Sequence, residues 1–159
     1  MSTKAPKPTE RAATAPAGPA STSEAVVPVQ TIVVAVDLSK ISHPLIRRAY
    51  GVLSGRGGVV HLVHVAHPRA TASDDALLAE LKALIPSPAP EGVVTQPHII
   101  RSNEIVGPLC AATERFKADL LCLATHGDVG LTKKALGPVA EEIIECSLTP
   151  ILLMKPDAS

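Results

Sequence analysis

Aromatic side chains are almost absent from this sequence. Tyr50 and Phe116 are the only two aromatic residues among 159, and there is no tryptophan. Proteins that bind single-stranded nucleic acids stack the bases on several aromatic rings, and this chain has too few to build such a platform. The charges add no general attraction to polyanions, because 15 basic and 15 acidic residues give a formal net charge of zero. We therefore expect no nucleic-acid partner.

Long apolar runs are also missing. No run reaches the ~18 residues that a membrane-spanning helix needs, and the first residues lack the apolar stretch of a secretory signal. The three cysteines, Cys110, Cys122 and Cys146, fit neither a disulfide framework nor a CxxC metal site. We expect each to be a small buried or half-buried side chain. These features predict a cytoplasmic protein that does not interact with membranes.

The first 28 residues differ in composition from the rest of the chain. They are rich in proline, alanine, serine and threonine, and prolines at positions 6, 8, 16, 19 and 28 interrupt any periodicity. Such a segment buries too little apolar surface to offset the entropy lost on ordering. We predict a disordered tail over residues 1–28, followed by one folded domain over residues 29–157.

Short apolar runs rich in β-branched residues predict strands that are buried on both faces. Four such runs are Thr31–Val36, Val59–Val65, Leu120–Ala124 and Ile151–Met154. A fifth run, Val93–Ile100, contains Pro97. Because proline has no N–H to donate to a neighbouring strand, this run is expected at the edge of a sheet.

Amphipathic segments separate these runs. One follows Ser42, a candidate N-cap, and another follows Ser73, with Asp74 and Asp75 in its first turn. The apolar positions that define the four helices are Leu45, Ala49 and Val52; Leu77, Leu81 and Leu84; Ile105, Leu109, Ala112 and Phe116; and Leu136, Val139, Ile143 and Cys146. The alternation predicts an α/β fold, a five-stranded, doubly wound parallel sheet with helices on both faces. Such folds bind ligands beyond the carboxyl ends of their strands.

Two segments at that edge carry polar or glycine-rich sequence. Asp37 follows the first strand, where its carboxylate could bind a ligand or simply form an Asx-turn. The segment 124–139 runs from a strand end through Gly127 and Gly137 into a helix N-terminus, with Lys133 and Lys134 between them. It matches neither a Walker A loop nor GxGxxG. Its residues indicate either an anion site or an ordinary surface loop.

Several segments together resemble the universal stress protein family over residues 30–155. They are IVVAVD ending at Asp37, HLVHV ending at Val65, ADLLCLATHG ending at Gly127, and LGPVAEEIIECSLTPILLMK ending at Lys155. The resemblance implies a Rossmann-like sheet of strand order 3-2-1-4-5. It also implies a homodimer that pairs through the fifth strand, Ile151–Met154.

The resemblance further implies a nucleotide site. Its residues would be Asp37, Val65, Ala124, Gly127, Gly137, Pro138 and Val139. ATP-binding members carry Gly-x2-Gly-x9-Gly-(Ser/Thr), and this chain departs at two positions, with Ala124 for the first glycine and Pro138 for the hydroxyl residue. Proline offers the phosphates neither a hydroxyl nor an N–H. We expect ATP to bind weakly or not at all, whereas adenosine or AMP could still contact Asp37 and the Val65 backbone.

Three functions are compatible with these features. We favour a regulatory binding module for the stress response, which is not an enzyme and which acts through a nucleotide or an unknown protein partner. The alternatives are a member that binds ATP or AMP with slow ATPase activity, and a scaffold whose tail recruits a partner while the crevice stays empty. A metal site of Asp37, His67 and His126 is a further alternative, because imidazoles and a carboxylate suit Zn²⁺ or Fe²⁺; we expect no metal.

Overall fold

The computed structural model describes residues 25–125 and 136–155. These residues form five strands and four helices in strict alternation. In chain order the elements are β1 (Thr31–Ala35), α1 (Ser42–Leu53), β2 (Gly58–Ala66), α2 (Asp74–Ala83), β3 (Val93–Arg101), α3 (Val106–Arg115), β4 (Leu120–Ala124), α4 (Pro138–Cys146) and β5 (Ile151–Met154). Residues 25–28, at the end of the predicted tail, carry no secondary structure, and residues 1–24 lie outside the described part.

The five strands form one parallel sheet of order β3-β2-β1-β4-β5. The predicted fold class and strand order are therefore confirmed. Pro97 pairs in register with Leu62, and its strand β3 lies at the edge of the sheet, as the missing N–H requires. The other edge is β5, whose four residues are all half-buried.

Helices cover both faces of the sheet, so the apolar core has two halves. Along β1, Ile32 and Val34 pack toward α1 and α2, whereas Val33 packs toward α3 and α4. This alternation follows from the period of two in a strand, which sends successive side chains to opposite faces. All three side chains are fully buried, which explains why the strand reads as a continuous apolar run.

The starts of two helices test the predicted caps. Ser73 caps α2, because its side-chain oxygen accepts a hydrogen bond from the Ala76 N–H at 3.2 Å. The prediction for Ser42 is wrong, since Ile41 occupies the N-cap position of α1 and Ser42 is already helical and buried. Its hydroxyl instead donates a hydrogen bond to Asp37 Oδ1, and this bond helps to fix the loop after β1.

The cysteines do not share one environment. Cys122 is fully buried in β4 and Cys110 is half-buried in α3, as expected. Cys146 is exposed, so the expectation fails there, because this residue ends α4. Within the described residues, no helix is both long and apolar enough to span a bilayer.

Candidate functional site

A cavity of about 370 Å³ lies at the carboxyl ends of β1, β2 and β4. It is closed by the first turn of α1, by α3 and by the start of α4. The described residues that line it are Ala35, Val36, Asp37, Ile41, Ser42, Leu45, Val63, His64, Val65, Ile105, Leu109, Leu123, Ala124, Thr125, Gly137, Pro138, Val139 and Ala140. Its volume falls within the ~300–1,000 Å³ typical of small-molecule sites, and it lies where parallel α/β sheets bind ligands.

Six of the seven residues predicted for the site lie within the described part of the chain, and all six line this cavity. They are Asp37, Val65, Ala124, Gly137, Pro138 and Val139. The seventh, Gly127, lies outside the described residues, as do Lys133 and Lys134. The fold thus brings together residues that are up to 102 positions apart in the chain. Their role in ligand binding stays a prediction.

Asp37 both shapes the loop after β1 and lines the cavity. Its Oδ1 accepts hydrogen bonds from the Ser39 N–H at 3.0 Å, the Ser39 hydroxyl at 2.6 Å and the Ser42 hydroxyl at 3.0 Å. The bond to the N–H two residues ahead defines an Asx-turn. Leu38 within this turn has a φ of 63°, an uncommon backbone conformation for a residue with a side chain. The Asx-turn is therefore present, and it fixes the carboxylate at the cavity wall.

The end of β2 presents backbone groups to the cavity. The paired register of β1 and β2 ends at Ala35 and Val63, and the Val36 N–H then donates to the Val63 carbonyl at 2.9 Å. In a parallel strand the backbone groups of alternate residues are directed to the same neighbour, so Val65 is directed to the β1 side as Val63 is. Beside it, His64 Nδ1 lies 2.8 Å from the Val36 carbonyl oxygen.

The start of α4 forms the opposite wall. Gly137 is the N-cap, and its own N–H donates to the Thr125 carbonyl at 2.8 Å. Pro138 takes the first helical position, which suits its fixed φ and its missing N–H. By helix geometry the N–H groups of Val139 and Ala140 have no acceptor within α4, and no side-chain cap is formed. These two donors are therefore the ones that α4 offers to an anion.

The walls are mostly apolar, and the described lining carries little charge. Val63, Leu109 and Leu123 come from different elements and are all buried. Among the described residues that line the cavity there is no lysine or arginine, and Asp37 is the one carboxylate. An apolar space with a few convergent polar groups is typical of sites for flat organic ligands.

The structure does not assemble the alternative metal site within its described part. Asp37 lines the cavity, but His67 does not, and its Nδ1 instead accepts a hydrogen bond from the Arg69 N–H at 3.1 Å. His126 lies outside the described residues. Over residues 25–125 and 136–155, no cluster of three or more histidine, cysteine or acidic side chains has the geometry to hold a metal ion.

Sequence reasoning missed the contribution of α3 to the cavity. Ile105 and Leu109 were predicted only as core positions, yet both line the cavity, and Ile105 remains 45 % exposed. The buried residue at the start of α3 is Val106. Parallel α/β sheets bind ligands beyond the carboxyl ends of their strands, which locates the loops of a site. This rule does not indicate which helix side chains cover those loops.

Comparisons with known proteins identify the family and the fold. The universal stress protein family model matches residues 28–155, which is more than three quarters of the chain. No relative was found among curated protein sequences.

Solved structures share the fold at low sequence identity. Hypothetical protein MJ0577 has a TM-score of 0.65 at 19 % identity, with 84 % of this chain and 100 % of that chain covered. A universal stress protein in complex with cAMP has a TM-score of 0.56 at 19 % identity, with coverages of 80 % and 98 %. The universal stress protein from Archaeoglobus fulgidus in complex with dAMP has a TM-score of 0.54 at 16 % identity, with coverages of 80 % and 98 %.

Proposed function

This chain belongs to the universal stress protein family, and we propose that it is a regulatory module that binds adenosine or AMP in the cavity at the carboxyl edge of the sheet. We propose also that it binds ATP weakly or not at all. Two similar proteins were solved with cAMP and with dAMP, which are both adenine nucleotides with a single phosphate. The cavity of this chain has features that suit each part of such a ligand.

The base would lie between the apolar walls near the end of β2. There the backbone N–H and carbonyl of Val65 are directed to the β1 side, beyond the point where its register with β2 ends. A purine edge needs one donor and one acceptor, and a strand backbone offers both. The three hydrogen bonds described for Asp37 all use Oδ1, so we assign Oδ2 to a ribose hydroxyl.

The proposal that the site binds one phosphate better than three rests on the start of α4. Pro138 has no N–H, and the Gly137 N–H is used by the Thr125 carbonyl. The N–H groups of Val139 and Ala140 can serve one phosphate at the positive end of the helix dipole. The ATP-binding pattern places a hydroxyl and an N–H at the position of Pro138, and this chain has neither there to bind further phosphates. The described lining residues also offer no cationic side chain for them.

We propose binding rather than catalysis. A hydrolytic site needs a group that can activate water, and among the described lining residues the carboxylate of Asp37 and the imidazole of His64 are the groups of that kind. Both groups already have partners within the fold, since Asp37 Oδ1 accepts three hydrogen bonds from Ser39 and Ser42, and His64 Nδ1 lies 2.8 Å from the Val36 carbonyl oxygen. Slow ATP hydrolysis is the outcome that would contradict this part of the proposal.

Calorimetry with adenosine, AMP and Mg²⁺-ATP on the wild type and on Pro138→Ser tests the proposal. We expect the wild type to bind AMP at least about tenfold more tightly than ATP. Serine restores an N–H and a hydroxyl, and a hydrogen bond to a charged group is worth about 1.5–3 kcal/mol, so ATP affinity should rise ~10–100-fold. Pro150→Ser is the matched control, because Pro150 is exposed and does not line the cavity.

Three results would contradict the proposal. Tighter binding of ATP than of AMP by the wild type would show that the start of α4 does not limit the phosphates. Unchanged ATP affinity in Pro138→Ser would remove the physical reason given for weak binding. Failure of both adenosine and AMP to bind at millimolar concentration would leave the scaffold alternative, in which the protein acts through a partner.

We propose in addition that two copies pair through β5. This strand forms one edge of the sheet, and its unpaired backbone groups would be satisfied by a second copy. Two large apolar side chains nearby support the proposal, since Leu148 is 97 % exposed and Ile144 is 44 % exposed. The protein partner and the cytoplasmic location stay predictions from the sequence.

A further inference from the structure

Two cysteines that lie 36 residues apart in the chain meet between α3 and α4. The Sγ atoms of Cys110 and Cys146 are 3.0 Å apart. Cys110 lies in the middle of α3, and Cys146 is the last residue of α4. A disulfide has an S–S length of ~2.05 Å, so closure requires the two sulfurs to approach by about 1 Å. The sequence spacing indicated no such pair, because the contact depends on how the two helices pack.

The two thiols differ in access to solvent. Cys146 is exposed and Cys110 is half-buried, so a soluble oxidant meets Cys146 first. Burial raises the pKa of the Cys110 thiol to about 11, and the adjacent Cys146 thiol and the charges of Glu114 and Glu142 add to the rise. Cys110 is therefore held as a protonated thiol at neutral pH, protected from direct oxidation until its neighbour has reacted.

We propose that Cys110 and Cys146 form a reversible redox site that a hydroperoxide oxidises to an intramolecular disulfide between α3 and α4. In the first step the Cys146 sulfur attacks the peroxide O–O bond, giving a sulfenic acid and releasing water or an alcohol. In the second step the Cys110 sulfur attacks the sulfenic sulfur. The new S–S bond forms as the S–O bond breaks, and the leaving hydroxide takes the Cys110 proton as water. A dithiol reductant reverses the reaction by thiol–disulfide exchange.

The cross-linked helices are also two walls of the cavity. Leu109, next to Cys110, lines the cavity from α3, and Val139 lines it from the start of α4. A covalent link between these helices restricts their relative movement. It therefore changes the affinity for a ligand that needs such movement to enter the cavity. The disulfide thus couples oxidation to AMP binding. This coupling rests on the proposed function, whereas the disulfide itself does not.

Mass spectrometry of the full chain after titration with hydrogen peroxide tests the redox site. We expect the mass to fall by about 2 Da and a peptide containing a Cys110–Cys146 cross-link to appear, both reversed by dithiothreitol. The cross-link should raise the midpoint of thermal unfolding by roughly 5 °C or more, because it restricts the unfolded chain. Cys122 is an internal reference, since it is fully buried and burial raises its pKa to about 12.

Three variants separate the roles of the cysteines. Cys110→Ser should leave Cys146 as a sulfenic acid that a dimedone probe traps, and Cys146→Ser should leave Cys110 reduced. Cys122→Ser should oxidise like the wild type. Oxidation of wild-type Cys146 to the sulfinic acid while Cys110 remains free to alkylate would overturn the redox site.

Calorimetry with AMP on the reduced and oxidised forms tests the coupling. We expect the affinities to differ by about fivefold or more. Equal affinities in the two forms would overturn the coupling and leave the disulfide intact. A disulfide that forms while neither form binds AMP would instead contradict the proposed function, so the two failures are distinguishable.

Discussion

The imidazole ring of His61 lies flat against the phenyl ring of Phe116, with ring centroids 4.0 Å apart and 3° between the planes. His98 completes the cluster, and its Nε2 is 3.0 Å from His61 Nδ1. Burial lowers the pKa of both histidines. The nearby His98 lowers the pKa of His61 further, and the charge of Arg115 does the same for His98. Protonation therefore places a charge in a space that favours the neutral rings.

The free energy of unfolding should fall in mild acid because of His61 and His98. Both folded-state pKa values lie below the ~6.5 of an unfolded histidine, so the unfolded chain takes up protons first as the pH falls. The stabilisation is complete above about pH 6.5 and is lost as the pH drops through the folded-state values. Urea unfolding from pH 8 to 5 should show this loss. His98→Gln should reduce the slope, and His43→Gln, at an exposed position, should not. A wild-type free energy of unfolding that stays flat over this range would contradict the prediction.

The replacement Gly58→Ala should be costly at the start of β2. Gly58 has a φ of 144°, and a Cβ there would collide with the Gln30 carbonyl oxygen. That oxygen also accepts the Val59 N–H at 2.8 Å, so it cannot move away freely. We expect a loss of about 2 kcal/mol or more in the free energy of unfolding.

Gly51→Ala is the matched control for Gly58→Ala. Gly51 lies in α1, and a Cβ added there would meet no atom within 4 Å beyond the backbone of its own helix. Alanine should stabilise the helix there by about 0.5–1 kcal/mol. Urea unfolding of both variants checks the pair of predictions, and equal effects of the two replacements would argue against the backbone explanation.

Loss of the Asp119 carboxylate should destabilise the sheet where β1 begins. Its Oδ2 accepts hydrogen bonds from the N–H groups of Gln30 and Thr31, both at 2.9 Å. Hydrogen bonds to a charged group are worth about 1.5–3 kcal/mol, so Asp119→Ala should lower the unfolding free energy by about that amount. Asp119→Asn keeps one acceptor oxygen and should cost less. Asp75→Ala, at an exposed position, should cost under about 1 kcal/mol, and an equal loss there would contradict the assignment.

The replacement Leu148→Lys should weaken the proposed pairing of two copies. Leu148 lies just before β5 with 97 % of its surface exposed, and a charge there would oppose burial against a second copy. Analytical ultracentrifugation should show a dimer for the wild type at micromolar concentration and a shift toward monomer for the variant. Val94→Lys is the control, because Val94 is 55 % exposed on the opposite edge strand. A monomeric wild type would contradict the proposal.

Much of the fold could be predicted because its signals are local. Buried strands are visible in the sequence as continuous apolar runs, and Pro97 indicated that its strand lies at an edge of the sheet. Ser73 was recognisable as a cap because its partner, Ala76, is only three positions away. The carboxyl edge of the sheet was predicted as the binding side from the alternation of strands and helices alone. The six described site residues found at the cavity follow from that rule and from the family resemblance.

Other features depended on contacts that no local pattern encodes. Ser42 had the sequence signature of a cap, but its hydroxyl donates to Asp37 across the loop after β1. A capping hydroxyl accepts a hydrogen bond from a backbone N–H, whereas the Ser42 hydroxyl donates to a carboxylate, and such a charge-assisted bond is stronger than one between neutral groups. The choice between the two partners is made by the path of the loop, which the sequence does not reveal.

By itself, the sequence determined the elements, their order and the side of the sheet that carries the cavity, because burial imposes periods of two and 3.6 residues on neighbouring positions. Only the tertiary structure decided which distant side chains meet. It placed Cys110 against Cys146 and His61 against His98 and Phe116. The physical reason is that such contacts depend on the packing of helices and strands against one another, which is set by the shape of the whole core rather than by any segment.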